Sequence, residues 1–274
     1  MNRPEGSQAT QRELLATCVA AAVGAAAIIR ERAIDPAKIV WEEKSPVDFV
    51  SEVDRAAEES IIAVVAERHP GVPVLGEELS PGHQSTSELT FVVDPLDGTT
   101  NFLHGFPHYA VSIAAMIGGE PVAGAVLNVP TGELFTASAG GGARRSGQPM
   151  HVSSITTPVR ALLGTGFPFK NLELVEPYLR QFAAVLRMTS GIRRPGSAAL
   201  DLADVACGRF DAFWELKLAP WDVAAGLLLV REAGGVVTDL SGTPAPVGHG
   251  SIVAGNPQMH AWLLDVLGSV GKAG

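Results

Sequence analysis

Residues 91–102 read Phe91-Val92-Val93-Asp94-Pro95-Leu96-Asp97-Gly98-Thr99-Thr100-Asn101-Phe102. An apolar run of this kind reads as a buried strand. Pro95 and Gly98 shape a turn after it. Two carboxylates, Asp94 and Asp97, therefore stand three positions apart where a strand ends and polar side chains converge at a sheet edge. Two other places repeat the arrangement. Pro73-Val74-Leu75 precedes Gly76-Glu77-Glu78, and Asp222 follows Trp221 at the head of an apolar helix.

Each piece alone has an ordinary reading: Asp222 as a helix cap, Glu77-Glu78 as a solvated loop, Asp94 to Thr99 as a Pro/Gly turn. Their joint appearance asks for more. Carboxylates aimed at one place repel one another unless cations intervene. Oxygen ligands without a His or Cys cluster favour hard ions such as Mg2+. Two such ions clamp a phosphoryl group and lower the pKa of a bound water. They also make an acidic pocket attractive to a phosphate dianion.

The rest of the chain supplies a layered frame. Residues 8–33 read as one alanine-rich helix with Leu14, Leu15, Cys18, Val19 and Ala22 on its apolar face, stopped at Asp35-Pro36. Residues 37–50 are mixed and polar, with a mobile loop expected at Lys44-Ser45-Pro46. A second helix is expected over 54–69. Apolar runs near 73–75, 91–93, 111–117, 122–129 and 133–137 read as a largely antiparallel meander. The glycines at 140–142 are turn chemistry, because the strand and helix of a dinucleotide site are missing around them. From 161 onward strands (161–164, 211–215, 236–237, 252–253) alternate with helices (174–187, 198–207, 223–233, 257–267). The expected class is a layered α+β and α/β sandwich with an antiparallel-leaning N-terminal half and an α/β C-terminal half. It forms one domain over 1–274, with halves at about 1–155 and 156–274.

Composition sets outer bounds. The chain has 274 residues, 46% hydrophobic and 18% charged, with a net charge of −9 and a mean hydropathy of +0.22. This suits a compact globular protein and argues against a broad nucleic-acid footprint. Two distant cysteines, Cys18 and Cys207, suggest neither a disulfide framework nor a zinc site and fit a reducing cytoplasm. The 16 apolar-leaning residues from Leu14 to Ile29 are short and alanine-rich for a membrane span, so a buried helix is expected there.

On these motifs the chain resembles the inositol monophosphatase family. One family motif is Gly76-Glu77-Glu78 with Asp94 to Phe102. The other is Trp221-Asp222-Val223-Ala224-Ala225-Gly226, trailed by Glu232-Ala233-Gly234-Gly235. Lys44 to Asp54 and Gly196-Ser197-Ala198-Ala199 support the match, which runs from about residue 10 to 266. The resemblance implies an Mg2+-dependent phosphatase of small phosphate monoesters, inositol 1-phosphate first among them, acting by in-line attack of an activated water. It implies that Glu77, Asp94 and the Leu96 carbonyl hold one Mg2+. Asp94, Asp97 and Asp222 hold a second, with Asp94 bridging, and some family members carry a third near Glu77. Thr99 with Asp54, alongside Glu77, would activate the water. Asp97, Gly98, Thr99 and Asp222 would meet the phosphate and leaving group, and Ala198 and Glu215 the alcohol. Inhibition by Li+ and a homodimer are further family expectations.

His104 and His108 are expected to be packing or loop residues, and Arg193-Arg194 to lie at a subunit interface. A phosphatase that forms an aspartyl-phosphate uses two aspartates separated by one residue, a spacing not found here. Histidinol phosphate and fructose 1,6-bisphosphate are rival substrates on the same fold. A regulatory binding protein contacting transcription machinery is the rival from another class.

Overall fold

A computed structural model describes residues 5–34, 39–45, 48–80 and 88–271. Helix α1 (Glu5–Ala33) buries Leu14, Cys18, Ala21, Ala22, Ala25, Ala26 and Ile29, one stripe at steps of three and four residues. By length and composition Thr10–Ala33 would also suffice to cross a membrane. In this fold its stripe packs on α2 (Glu52–Arg68) and on a sheet. The expected stop at Asp35-Pro36 lies outside the described residues.

Residues 41–51 differ from the expected loop. They form an antiparallel hairpin of β1 (Trp41–Ser45) and β2 (Asp48–Ser51), and Pro46-Val47 lie outside the described residues. Pairing between the two segments, which no local apolar pattern announces, makes these strands.

The first large sheet holds seven strands in sequential order: β3 (Val74–Gly76), β4 (Leu89–Asp97), β5 (Ala110–Ile117), β6 (Glu120–Asn128), β7 (Leu134–Ser138), β8 (Gly142–Arg145) and β9 (Gln148–Pro149). Among the described residues of this sheet only the β3–β4 pair is parallel. The second sheet has five strands, ordered β11 (Gly191–Arg193), β10 (Leu162–Thr165), β12 (Ala212–Leu218), β14 (Gly250–Gly255) and β13 (Val236–Thr238).

Strand side chains alternate between faces, and the two periods fix the layers. Phe91, Val93, Ile113, Ala125 and Leu127 face α1 and α2, whereas Val92, Ala114 and Val126 face the opposite way. Against that second face lie α5 (Ala198–Ala206) and α6 (Pro220–Glu232), which also receive Phe213, Ile252 and Ala254 from the second sheet. The other face of that sheet presents Trp214 and Val253 to α4 (Val175–Leu186) and α7 (Pro257–Gly271). The order is helix, sheet, helix, sheet, helix, a layered sandwich of the expected class.

Candidate active site

The parallel pairing of β3 and β4 decides where the carboxylates meet. Gly76 stands beside Val93, so the next residues along the two strands, Glu77 and Asp94, emerge at the same sheet end. Pro95 has no N–H to give the ladder. The β4–β5 register slips there, with Asp94 opposite Ser112 but Asp97 opposite Ala110. This bulge leaves Asp94, Leu96 and Asp97 on the wall of one cavity. Asp222 arrives from the first turn of α6, next to Trp221, whose carbonyl oxygen lies 3.4 Å from the Ser112 hydroxyl.

The turn continues into α3 (Thr99–Leu103) through Gly98 at φ 96°, and a Cβ at Gly98 would come within 3.1 Å of the His108 carbonyl oxygen. Glycine is the residue that accepts both the positive φ and the close approach. Thr99 then presents its hydroxyl 2.9 Å from Asp54 Oδ1 and 3.0 Å from the Leu96 carbonyl oxygen. Asp54 is itself fixed at the start of α2, where its Oδ2 accepts the Ser51 N–H at 2.9 Å and the Ser51 hydroxyl at 2.5 Å. It is a buried capping-box member and touches the site through Thr99.

Each aspartate is also held by backbone. Asp94 Oδ1 accepts the Leu96 N–H at 3.0 Å, and Asp222 Oδ2 the Ala219 N–H at 2.7 Å. Asp97 Oδ2 accepts the Ser197 hydroxyl at 2.6 Å and the Ala199 N–H at 2.7 Å, which ties β4 to the N-terminus of α5 a hundred residues away. Glu77, Asp94, Leu96, Asp97, Gly98, Thr99, Ala198, Glu215 and Asp222 all line this cavity of about 580 Å³.

Burial, then the neighbouring carboxylates Glu77, Asp97 and Asp222, push Asp94 well above the ordinary carboxylate range. Asp222 is raised likewise, by burial first and by Glu77 and Asp97 next. Asp97 is pushed up to about 6, again mainly by burial, against the lowering effect of its bonds from Ser197 and Ala199. Such desolvated groups of like charge fit hard divalent cations: binding them would relieve the repulsion and fill oxygen-only ligand positions. Among the described residues no three His, Cys, Asp or Glu side chains form a preformed metal cluster.

The rest of the lining comes from residues that the sequence did not single out. Phe167, Phe169, Lys170, Asp201 and His249 are among them. Arg194, expected at an interface, also faces the cavity, its guanidinium 5.2 Å from the Phe167 ring centre and 5.3 Å from that of Phe169. Glu215 lies on β12 against Gly166, where any Cβ would sit 2.0 Å from its carboxyl carbon. Burial pushes Glu215 up to about 8, with Arg194 pulling the other way. His104, exposed at the end of α3, and His108 lie outside the cavity lining.

Comparison with known proteins matches this geometry to one family. The model of the Inositol monophosphatase family covers residues 10–272. The "Nus factor SuhB" of Pseudomonas aeruginosa is 47% identical, covering 82% of this chain and 84% of that protein. The "Inositol-1-monophosphatase" of Rhizobium meliloti is 46% identical over the same shares. Among solved structures, the extragenic suppressor protein suhB from Bartonella henselae superposes with a TM-score of 0.86 at 40% identity, covering 94% of this chain and 98% of that one. An inositol monophosphatase from Anabaena gives 0.82 at 36% identity, covering 93% and 95%. The chain is a phosphoric monoester hydrolase and belongs to the inositol monophosphatase family.

Proposed function

We propose that this chain hydrolyses inositol 1-phosphate to inositol and phosphate in the presence of Mg2+. The observation that carries the reading is the convergence of Glu77, Asp94, Asp97 and Asp222 on the cavity that also receives Thr99 and Glu215. Glu77, Asp94 and the Leu96 carbonyl would hold one Mg2+ and Asp94, Asp97 and Asp222 a second; a third beside Glu77 belongs to the same expectation. Bound there, the ions would supply Lewis-acid polarisation of the phosphoryl group and acidify water.

The chain's own residues do the rest. The Thr99 hydroxyl oxygen accepts a proton from the attacking water as its own proton passes to Asp54, 2.9 Å away and raised by burial. Glu77 shares in orienting that water. Gly98 and Thr99 offer backbone N–H groups to the phosphate. Glu215 and Ala198 meet the alcohol, and a Glu215 raised by burial and so held mostly protonated near neutral pH both donates to and accepts from a hydroxyl. On this reading the whole chain acts as one domain divided near residue 155, in a cytoplasmic homodimer, with LiCl as an inhibitor competing at the second ion position.

The test is phosphate release by purified protein from inositol 1-phosphate, histidinol phosphate and fructose 1,6-bisphosphate, with Mg2+ or with EDTA. The expected result is Mg2+-dependent release, fastest from inositol 1-phosphate. A faster reaction with another ester would overturn the substrate. A relative 47% identical is described as a Nus factor, which supports a second reading as a regulatory binding protein, and complete inactivity across the panel would favour it.

A further inference from the structure

Glu58 lies on α2 one turn beyond Asp54 and is fully buried. Its Oε2 accepts the Glu78 N–H at 2.8 Å and its Oε1 the Leu79 N–H at 3.0 Å. The same carboxylate fills the space beside Gly76, where a Cβ would fall 2.0 Å from Oε1 and 2.5 Å from the carboxyl carbon. The backbone on both sides of Glu77 therefore rests against one buried group.

We propose that Glu58 is a positioning residue for the divalent cation held by Glu77. By fixing residues 76, 78 and 79 it presets the Glu77 carboxylate toward Asp94. This inference rests on the two-ion reading of the site.

The chemistry suits the task. A carboxylate offers two acceptor oxygens and no donor, which matches two N–H groups pointing the same way, and such charge-assisted bonds are the strong ones. Glycine at 76 admits the carboxylate against the chain, so the loop is clamped by contact as well as by hydrogen bonds. A ligand whose backbone is already fixed loses less freedom when an ion binds. Outer-shell partners of this kind typically cost about 10- to 100-fold in metal affinity when changed. Glu58→Gln is the minimal perturbation: the amide oxygen still accepts one N–H, but its NH2 group faces the other, donor to donor.

A buried glutamate that merely stabilised the loop would behave differently. Isothermal titration calorimetry with Mg2+ on the full chain, wild type and Glu58→Gln, separates the two roles. The Mg2+ dependence of phosphate release and the melting temperature in EDTA are measured in parallel. Positioning predicts an Mg2+ dissociation constant raised about 10-fold or more, with kcat recovering near the wild-type value at saturating Mg2+. A lower melting temperature with unchanged Mg2+ affinity would overturn it. Should Glu58→Gln fail to fold, Gly76→Ala displaces the same carboxylate from the loop side and must raise the same constant; unchanged affinity there overturns the proposal too. A wild-type chain that takes up no Mg2+ would defeat the underlying two-ion reading itself, whereas normal wild-type binding with unaffected variants defeats only the role of Glu58.

Discussion

Ser197→Ala removes one hydroxyl that serves two elements at once. As N-cap of α5 it accepts the Leu200 N–H at 3.4 Å, and it donates to Asp97 Oδ2 at 2.6 Å from a site only 1% exposed. The cap bond is long, so its loss is worth about 0.5–1 kcal/mol, the low end for an N-cap. The bond to the carboxylate is short and buried, worth about 1.5–3 kcal/mol, although the Ala199 N–H at 2.7 Å keeps part of the support on the same oxygen. Together the loss is about 2–3 kcal/mol, or a melting point lower by roughly 3–5 °C, from an unfolding entropy that scales with chain length. Because Asp97 is released toward the cavity, affinity for the second ion should fall as well, by about 10- to 100-fold. Differential scanning calorimetry in EDTA reads the first effect, and the Mg2+ concentration for half-maximal phosphate release reads the second. A variant with the expected loss of stability but the wild-type Mg2+ requirement would refute the claim that Ser197 orients a metal ligand.

Three other perturbations probe separate parts of the site. Gly166→Ala would place a Cβ 2.0 Å from the Glu215 carboxyl carbon; it should raise KM for inositol 1-phosphate about 10-fold or more while leaving hydrolysis of a simple aryl phosphate nearly unchanged, and equal losses on both substrates would contradict a selecting role for Glu215. Glu215 is raised from its ordinary value to about 8, so the folded chain holds a proton there that the unfolded chain has released. Its contribution is thus complete below about pH 4.5 and is lost as pH rises through about 8. In EDTA the melting temperature should fall across that window, and Glu215→Gln should flatten the fall by on the order of a few kcal/mol of stability; an unchanged slope would count against it. Asp97→Asn removes a full charge from the second ion position and should cut turnover by several orders of magnitude with the fold intact, as read by phosphate release and circular dichroism; near-wild-type turnover at ordinary Mg2+ levels would defeat the assignment.

The sequence disclosed those features whose signal is local. Helix α1 followed from its apolar stripe, and β4 with its carboxylate turn followed from Phe91 to Asp97, because strand, proline, glycine and acid are all adjacent. The β1–β2 hairpin was hidden because Trp41–Ser45 and Asp48–Ser51 are short and mostly polar and owe their form to pairing with each other. β11 spans only three residues beside β10, too few to show a period. In the site, the acids were legible and their supports were not. Ser197 meets Asp97 across a hundred positions, and Glu58 looks like any exposed helix acid until the loop after β3 folds onto it. Arg194, Phe167 and His249 reach the cavity from loops whose course depends on how α5 and α6 sit between the two sheets.

The central claim is that the cavity between Glu77, Asp94, Asp97 and Asp222 is a two-ion centre. Crystals of the protein soaked in Mn2+, with anomalous scattering locating the ions, test it most directly. Two anomalous peaks about 3.5–4 Å apart are expected, one against Glu77, Asp94 and the Leu96 carbonyl, the other against Asp94, Asp97 and Asp222. Peaks elsewhere on the molecule, with none among these four carboxylates, would contradict it.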